Sequence, residues 1–369
     1  MPDQAKTVTN ETELSGAIVD ATGPLRIVGG GTRPIGTPAD GTILSTAALS
    51  GITLYEPGAL TLVAQAGTPT AEIEAALDAE NQRLAFEPMD HRALLGTNGT
   101  PTIGGVVAAN VSGPRRIAVG ACRDFMLGVR FVDGAGQIVK NGGRVMKNVT
   151  GYDLVKLLTG SYGTLGVLTE VALKVLPKPE TSATLSISGQ DITQAVAAMS
   201  SALGSPFEIT GAAYRSDNEG QTLLRIEGFE KSIAYRTEQL KDRLKSFGDI
   251  DVVTEDPWSN IANVTAFAGS DADVWRISVR PSDAPAVAAS LPSQSQIMLD
   301  WGGGLIWAAV PAGSDVRSGL GAIKGHATLI RGVADVPTFQ PEPAPLAAIS
   351  AGLRAKFDPR GILNTGIMT

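Results

Sequence analysis

The sequence predicts an α+β fold in two domains, and three observations carry that prediction. A chain of 369 residues is too long for one ordinary core, since single cores stop growing below about 300 residues. Short strands and helices mix from the start, and Asp133-Gly134-Ala135-Gly136 between two alternating runs is a hairpin signal that favours antiparallel pairing. Pro177 and Pro179 then punctuate the chain, because proline neither donates in a sheet ladder nor continues a helix. This places the boundary between residues 1–177 and 178–369.

Thr9 or Asn10 caps a first helix reaching about Ala21, its side-chain oxygen serving the free amides of the first turn. Leu25 to Val28 is a strand that runs straight into Gly29, Gly30, Gly31 and Thr32. Leu62 to Ala66 is a further strand, and Thr68-Pro69 opens an amphipathic helix with Ile73, Ala76 and Leu77 on one face. Residues 97–120 are rich in Gly, Ala, Asn and Thr, a composition that permits close backbone approach. Strands follow at Phe125 to Val132, Gln137 to Lys140 and Leu168 to Val175. Past the prolines the elements lengthen: a helix over 191–203, strands over 207–214 and 222–229, and a charged helix over 230–247 whose solvated face needs no partner. A last helix near 346–357 precedes the tail, and there are no internal repeats.

Composition narrows the function classes. Hydrophobic residues at 43% and charged residues at 18% allow a full core without metal or disulfide staples. No apolar run approaches the roughly 20 residues of a membrane span, and the start lacks a signal peptide's regions, so a cytoplasmic protein is expected. The net charge of −7, without a basic stripe, disfavours nucleic acid. Cys122 is the only cysteine, so an iron–sulfur cluster ligated by this chain alone is excluded.

The glycine run after the first strand exposes backbone amides, which suits an anion but also suits an ordinary turn. Ile103-Gly104-Gly105, with Ala108-Ala109-Asn110 and Ser112-Gly113, is a second such stretch, and two of them suggest a long ligand. The phosphate loop G-x-x-x-x-G-K-[ST] is absent, as is a G-x-G-x-x-G opening a helix, so a Rossmann site is not expected. G-x-S-x-G is absent too, which sets hydrolases aside.

Four segments together resemble a known family: RIVGGGTRPIG, PTIGGVVAANVSGPRRIAVG, KNVTGYDLVKLLTGSYGTLGVLTEVALKVLP and FDPRGILNTG. They are similar to the FAD-linked oxidases of the vanillyl-alcohol-oxidase or PCMH type. The long segment from Gly142 to Glu170, with GHATLIRG at 325–332, resembles the FAD-binding subunits of glycolate oxidases, and the likeness spans nearly the whole chain. The resemblance implies a PCMH-type FAD-binding domain of two α+β subdomains over 1–177. It implies a C-terminal cap domain of antiparallel sheet plus helices over 178–369, with the tail 346–369 returning to the flavin.

By the same resemblance, Gly29, Gly30, Gly31 and Thr32 cradle the pyrophosphate, with Arg33 and Pro34 continuing the turn. Thr102, Gly104, Gly105, Ala109, Asn110 and Gly113 line the pyrophosphate and ribityl path, and Gly120 and Asp124 close that stretch. Gly163, Gly166 and Val167 lie at the adenine and ribose end, and Asn364 approaches the isoalloxazine. No His or Cys occurs in 29–34 or 97–120, so noncovalent FAD is expected.

Oxidising a 2-hydroxy acid needs a base for the hydroxyl proton and a cation for the carboxylate. Relatives carry H-x-G-D-G-N-x-H in the second domain, but here Asp300-Trp301-Gly302-Gly303-Gly304 stands in the comparable region without a histidine. With only His91 and His326 in the chain, no metal site is expected. His326 and Arg331 are the catalytic candidates, as acid/base and carboxylate clamp; the alternative is that His326 caps a turn and Arg331 pairs with a surface acid.

The resemblance thus implies a subunit oxidising glycolate to glyoxylate beside a second, catalytic FAD-binding subunit and an iron–sulfur subunit, attached to a membrane only through them. The missing histidine segment leaves two other readings: a noncatalytic assembly subunit containing FAD, or a stand-alone D-2-hydroxy-acid (lactate) dehydrogenase. An unrelated phosphate binder using the first loop alone would leave 97–120 and 160–169 unexplained.

Overall fold

The structure is a computed structural model that describes residues 5–144, 151–217, 219–321 and 324–368; the 145–150 part of the family-like segment lies outside them. Helix Glu11–Val19 starts at Asn10, whose side chain accepts from the Glu13 amide at 2.9 Å, while the Glu13 carboxylate reaches back to the Thr9 amide at 2.8 Å. This reciprocal cap satisfies orphan donors at the helix start. The helix packs Leu14 and Ile18 against Leu25 and Leu44.

Leu25–Val28 pairs in parallel with Thr42–Ser45, which also pairs with Lys6–Thr7 in a three-stranded sheet. A five-stranded antiparallel sheet follows, ordered Ile52–Glu56, Thr61–Gln65, Val167–Lys174, Met126–Val132, Ile138–Gly142. The hairpin at 133–136 forms as its sequence demands: Asp133 accepts from the amides of Ala135 and Gln137 at 2.9 and 2.8 Å. Helix Thr70–Asp78 buries Ile73 and Leu77, whereas Ala76 is half-buried.

Residues 181–331 build an eight-stranded antiparallel sheet, ordered Ile250–Val253, Thr181–Ser188, Gln221–Gly228, Ile209–Arg215, Gln296–Asp300, Leu305–Val310, Asp273–Val279, Gly325–Arg331. Alternation splits its side chains. One face sends Leu185, Trp275, Ile277, Ile306 and Ala327 under helices Ile192–Leu203, Glu230–Leu244 and Ala284–Ser290. The other sends Val274, Met298, Leu305 and Trp307 into a core shared with Ile103, Phe125 and Val171 of the first half. Burying each such side chain contributes about 1.5–3 kcal/mol.

Charge also joins the halves. Glu227 binds Arg115 and Arg83 at 2.8 Å each, and Arg225 binds Glu87 at 2.9 Å. The tail, after helix Ala344–Phe357, bonds back to the first strand: Leu25 donates to the Ile362 carbonyl at 2.7 Å and Asn364 donates to the Leu25 carbonyl at 3.0 Å.

Candidate functional site

The first strand ends where a cavity of about 360 Å³ begins. Gly29, Gly30, Gly31, Thr32, Arg33 and Pro34 line it from one side, and Thr102, Gly104, Gly105 and Ala109 line it from the second glycine stretch. Gly163, Gly166, Val167 and Asn364 complete what the sequence reading anticipated there. Among the described residues, the amides of Gly29, Gly30, Gly31 and Thr32 meet no protein acceptor. Four unpaired donors in a row at a strand end form an anion-binding concavity.

Glycine is required there for contact between the two loops. A Cβ on Gly30 would lie 1.5 Å from the Thr100 carbonyl oxygen, and one on Gly99 would lie 1.8 Å from the Gly30 oxygen. The second stretch forms a short helix, Ile103–Ala108, capped by the Thr102 hydroxyl. Its first amides are consumed by the turn that follows strand Thr61–Gln65, Ile103 donating to the Thr68 carbonyl at 3.0 Å and Gly104 to the Ala66 carbonyl at 2.7 Å. The free amides therefore belong to the first loop, while the helix supplies the opposite wall.

Arg33 works behind the loop. Its guanidinium donates to His91 Nδ1 at 2.8 Å, to the Gly105 carbonyl at 2.9 Å and to the Met89 carbonyl at 3.3 Å, which ties the two glycine stretches together. Burial, then the Arg33 charge, holds His91 well below the usual imidazole range, so it accepts as a neutral ring. Cys122 is buried, and burial pushes its thiol up.

Four anticipated residues lie outside the cavity lining because local contacts occupy them. Asn110 accepts from the Arg123 amide at 3.0 Å, and the Asp124 carboxylate accepts from the Ala121 amide at 2.8 Å while packing against Gly120. The Gly113 carbonyl accepts from the Trp301 indole at 3.0 Å, a contact between the two halves.

Arg331 is not free to clamp a carboxylate. It donates to the carbonyls of Leu94, Phe267 and Ala272 and to the Ser270 hydroxyl, at 2.7 to 3.2 Å, and so acts as a brace. His326 is placed differently. Cross-strand register sets Asp300, Leu305, Ser278 and His326 in one row, and Met298, Trp307, Arg276 and Thr328 in the next, all facing the first half. Burial, then the charges of Arg276 and Arg116, lowers the His326 pKa and leaves it neutral at pH 7.

That row exposes residues the sequence reading missed. Trp301 sits with φ +53° after Asp300, and the guanidiniums of Arg116 and Arg276 lie 4.4 and 5.2 Å from its ring centroid. Tyr162 lines the cavity, and burial raises its phenol despite the nearby charges of Arg276 and Arg33. Burial raises the Asp300 carboxyl to about 7 against the Trp301 amide that donates to it at 2.7 Å. The signal for this site was the run Asp300 to Gly304, whose glycines permit the strained turn at Trp301. Among the described residues no group of three or more His, Cys, Asp or Glu converges to hold a metal, and no helix is long and apolar enough to cross a membrane.

Comparison with known proteins agrees with this geometry. The family described as FAD binding domain matches residues 2–142. The chain is 37% identical over 361 residues to the glycolate oxidase subunit GlcE of Escherichia coli (strain K12), covering 96% of this chain and 95% of the relative. It is 38% identical over 126 residues to the glycolate oxidase subunit GlcD of Bacillus subtilis (strain 168), 34% of this chain and 25% of that one. A D-lactate dehydrogenase of Anaerostipes hadrus is 33% identical over 46% of this chain and 33% of its own length. In fold, alkyldihydroxyacetonephosphate synthase matches with a TM-score of 0.70 at 14% identity, covering 97% of this chain and 76% of that one. With unpaired loop amides at the mouth of a cavity, an FAD-binding domain over its first part and a full-length relative, the chain belongs to the PCMH-type FAD-linked oxidoreductases, in the family of the glycolate oxidase subunit GlcE.

Proposed function

We propose that this chain is the FAD-binding subunit of a glycolate oxidase complex that oxidises glycolate, a 2-hydroxy acid, to glyoxylate. The observation that carries the reading is 37% identity to GlcE over 96% of the chain, joined to a cavity walled by two glycine stretches. In this reading Gly29 to Thr32 receive the pyrophosphate on their free amides, and Thr102, Gly104, Gly105 and Ala109 line the path beyond it. Gly163, Gly166, Val167 and Asn364 line one wall together, since the Asn364 side chain bonds the Tyr162 carbonyl beside Gly163; the expected split, with Gly163 at the adenine end and Asn364 at the ring end, does not fit that contact. The lining contains neither His nor Cys, which supports noncovalent attachment. Residues 1–177 carry the cofactor and 178–369 cover it.

Bound there, FAD supplies the acceptor for the substrate's hydride or relays electrons onward. The partners are a second, catalytic FAD-binding subunit and an iron–sulfur subunit, because one buried cysteine cannot ligate a cluster here. Attachment to a membrane runs through those partners, the chain itself being cytoplasmic. Without the histidine segment, the isolated chain binds FAD and turns glycolate over slowly. The alternative of a stand-alone D-2-hydroxy-acid dehydrogenase draws support from Arg116, Arg276, Tyr162 and His326 gathering near the cavity.

The test is the visible spectrum of the purified chain, followed by anaerobic addition of glycolate with and without the partner subunits. A flavin spectrum bleached rapidly only in the complex is expected. Rapid bleaching of the isolated chain transfers the reaction to this subunit, and a protein that stays colourless when FAD is added overturns the reading.

A further inference from the structure

Two guanidiniums meet on one indole. Arg116 comes from the first half, on the short helix Arg116–Val119, and Arg276 from strand Asp273–Val279, beside the edge strand of the eight-stranded sheet. Both lie over the Trp301 ring, at 4.4 and 5.2 Å from its centroid. The ring is held in place by its own bonds, the indole to the Gly113 carbonyl at 3.0 Å and the amide to Asp300 at 2.7 Å. Such stacking fixes the plane of a guanidinium and leaves its N–H edges free.

Neither arginine has a carboxylate partner within ion-pair distance, or a side-chain hydrogen bond, among the described residues. Arg83, Arg115 and Arg225, at the same seam between the halves, are all paired with Glu87 or Glu227. Arg276 is the more deeply enclosed, and burial lowers its pKa to about 10. The carboxyl acting on it is Asp300, itself raised to about 7 and engaged with the Trp301 amide, so it offers little compensating charge. Both arginines are half-buried, with Asp124 acting on Arg116 only at a distance, and two partly buried cations side by side without a bonded carboxylate are costly, a cost that an anionic ligand supplying the missing charge removes.

The surroundings define the ligand. Arg276 acts electrostatically on Tyr162, which lines the cavity and packs edge-on against Phe339 at 4.9 Å. Neutral His326 lies on the same sheet face. We propose that Arg116 and Arg276, presented on Trp301, bind the carboxylate of a small 2-hydroxy acid beside the Tyr162 wall of the flavin cavity. The inference rests on the proposed function, from which it takes the hydroxy-acid class. A planar carboxylate matches the free edges of the two guanidiniums and neutralises the pair.

The test is calorimetric titration of the full-length chain with oxalate, a carboxylate probe that needs no turnover, with and without bound FAD. The wild type binds oxalate, Arg276→Gln and Arg116→Gln each weaken binding about tenfold or more, and Arg276→Lys recovers part of it. Flavin content and melting temperature show whether each variant is folded, and Trp301→Phe, which keeps an aromatic platform, retains most of the affinity. Unchanged oxalate affinity in the folded Arg116→Gln/Arg276→Gln double variant, or no oxalate binding by the FAD-loaded wild type, overturns the inference while leaving the flavin reading intact. A chain that never takes up FAD yet binds oxalate through these arginines upholds the anion site and removes the flavin reading instead.

Discussion

Asn364 donates its side-chain amide to the Tyr162 carbonyl at 2.7 Å, while its Oδ1 accepts from the Ile27 amide at 2.7 Å. One buried residue of the tail thereby joins the strand that leads into the glycine loop to the segment on the other side of the cavity. Asn364→Leu leaves a buried donor and a buried acceptor unpaired, at about 1–3 kcal/mol each. The expected outcome is a clear fall in melting temperature together with loss of FAD from the purified protein. Asn364→Asp keeps the bond from Ile27 and loses the one to Tyr162, so a thermal melt should place it between Leu and wild type.

Two neighbouring glycines should respond differently. Gly30→Ala places a methyl group 1.5 Å from the Thr100 carbonyl oxygen and forces the two loops apart. Gly31→Ala meets nothing within 4 Å but must hold φ +68°, a strain of about 1–2 kcal/mol. Absorbance of the purified variants should show flavin lost in the first and largely retained in the second.

Glu227 anchors the acid side of stability. Burial raises its carboxyl, but Arg115, Arg225 and Arg83 outweigh that and bring it down to about 2. A depressed carboxyl contributes stability that is present above its ordinary value of 4.5 and lost as pH falls toward 2. Glu227→Gln should be destabilised by about 3–5 kcal/mol at neutral pH, because buried arginines lose their partner. The gap to wild type should narrow in denaturant melts below pH 4.5.

Asp300 has the opposite sign. Its native carboxyl keeps a proton that the unfolded chain releases between 3.8 and about 7, so stability falls as pH rises through that window. Asn still accepts from the Trp301 amide. Asp300→Asn should match or exceed the wild-type melting temperature at pH 8 and lose that advantage near pH 4.

Arg331 and Arg276 separate bracing from binding. Arg331→Gln removes donors to the Leu94, Phe267 and Ala272 carbonyls and should lower the melting temperature. Oxalate affinity of the surviving folded protein should stay at the wild-type value, in contrast to Arg276→Gln.

Local elements were legible wherever a short-range rule decided them. Asn10 and Asp191 start their helices by accepting from the third residue onward, and Asp133 to Gly136 turns a hairpin through its own side chain. Helix Ile103–Ala108 escaped notice because its glycines and alanines look like loop, although Thr102 was in place as its cap. The charged helix expected over 230–247 runs as Glu230–Leu244 and continues to Phe247 as a tighter final turn over Lys245–Phe247.

The sequence by itself determined the two glycine stretches and the family, since each is written in contiguous residues. Only the tertiary structure decided which amides stay free and which cations stay unpaired. Among the described residues the amides of Gly29 to Thr32 meet no acceptor, whereas those of Ile103 and Gly104 are spent on the turn after strand Thr61–Gln65. Arg331 is occupied by carbonyls, whereas Arg276 and Arg116 are not, although all three are arginines of unremarkable local sequence. Cross-strand register is what sets Arg276 one row from His326, and contact between the halves is what brings Arg116 to the same indole. Pairing across hundreds of residues obeys long-range packing, and no local pattern records it.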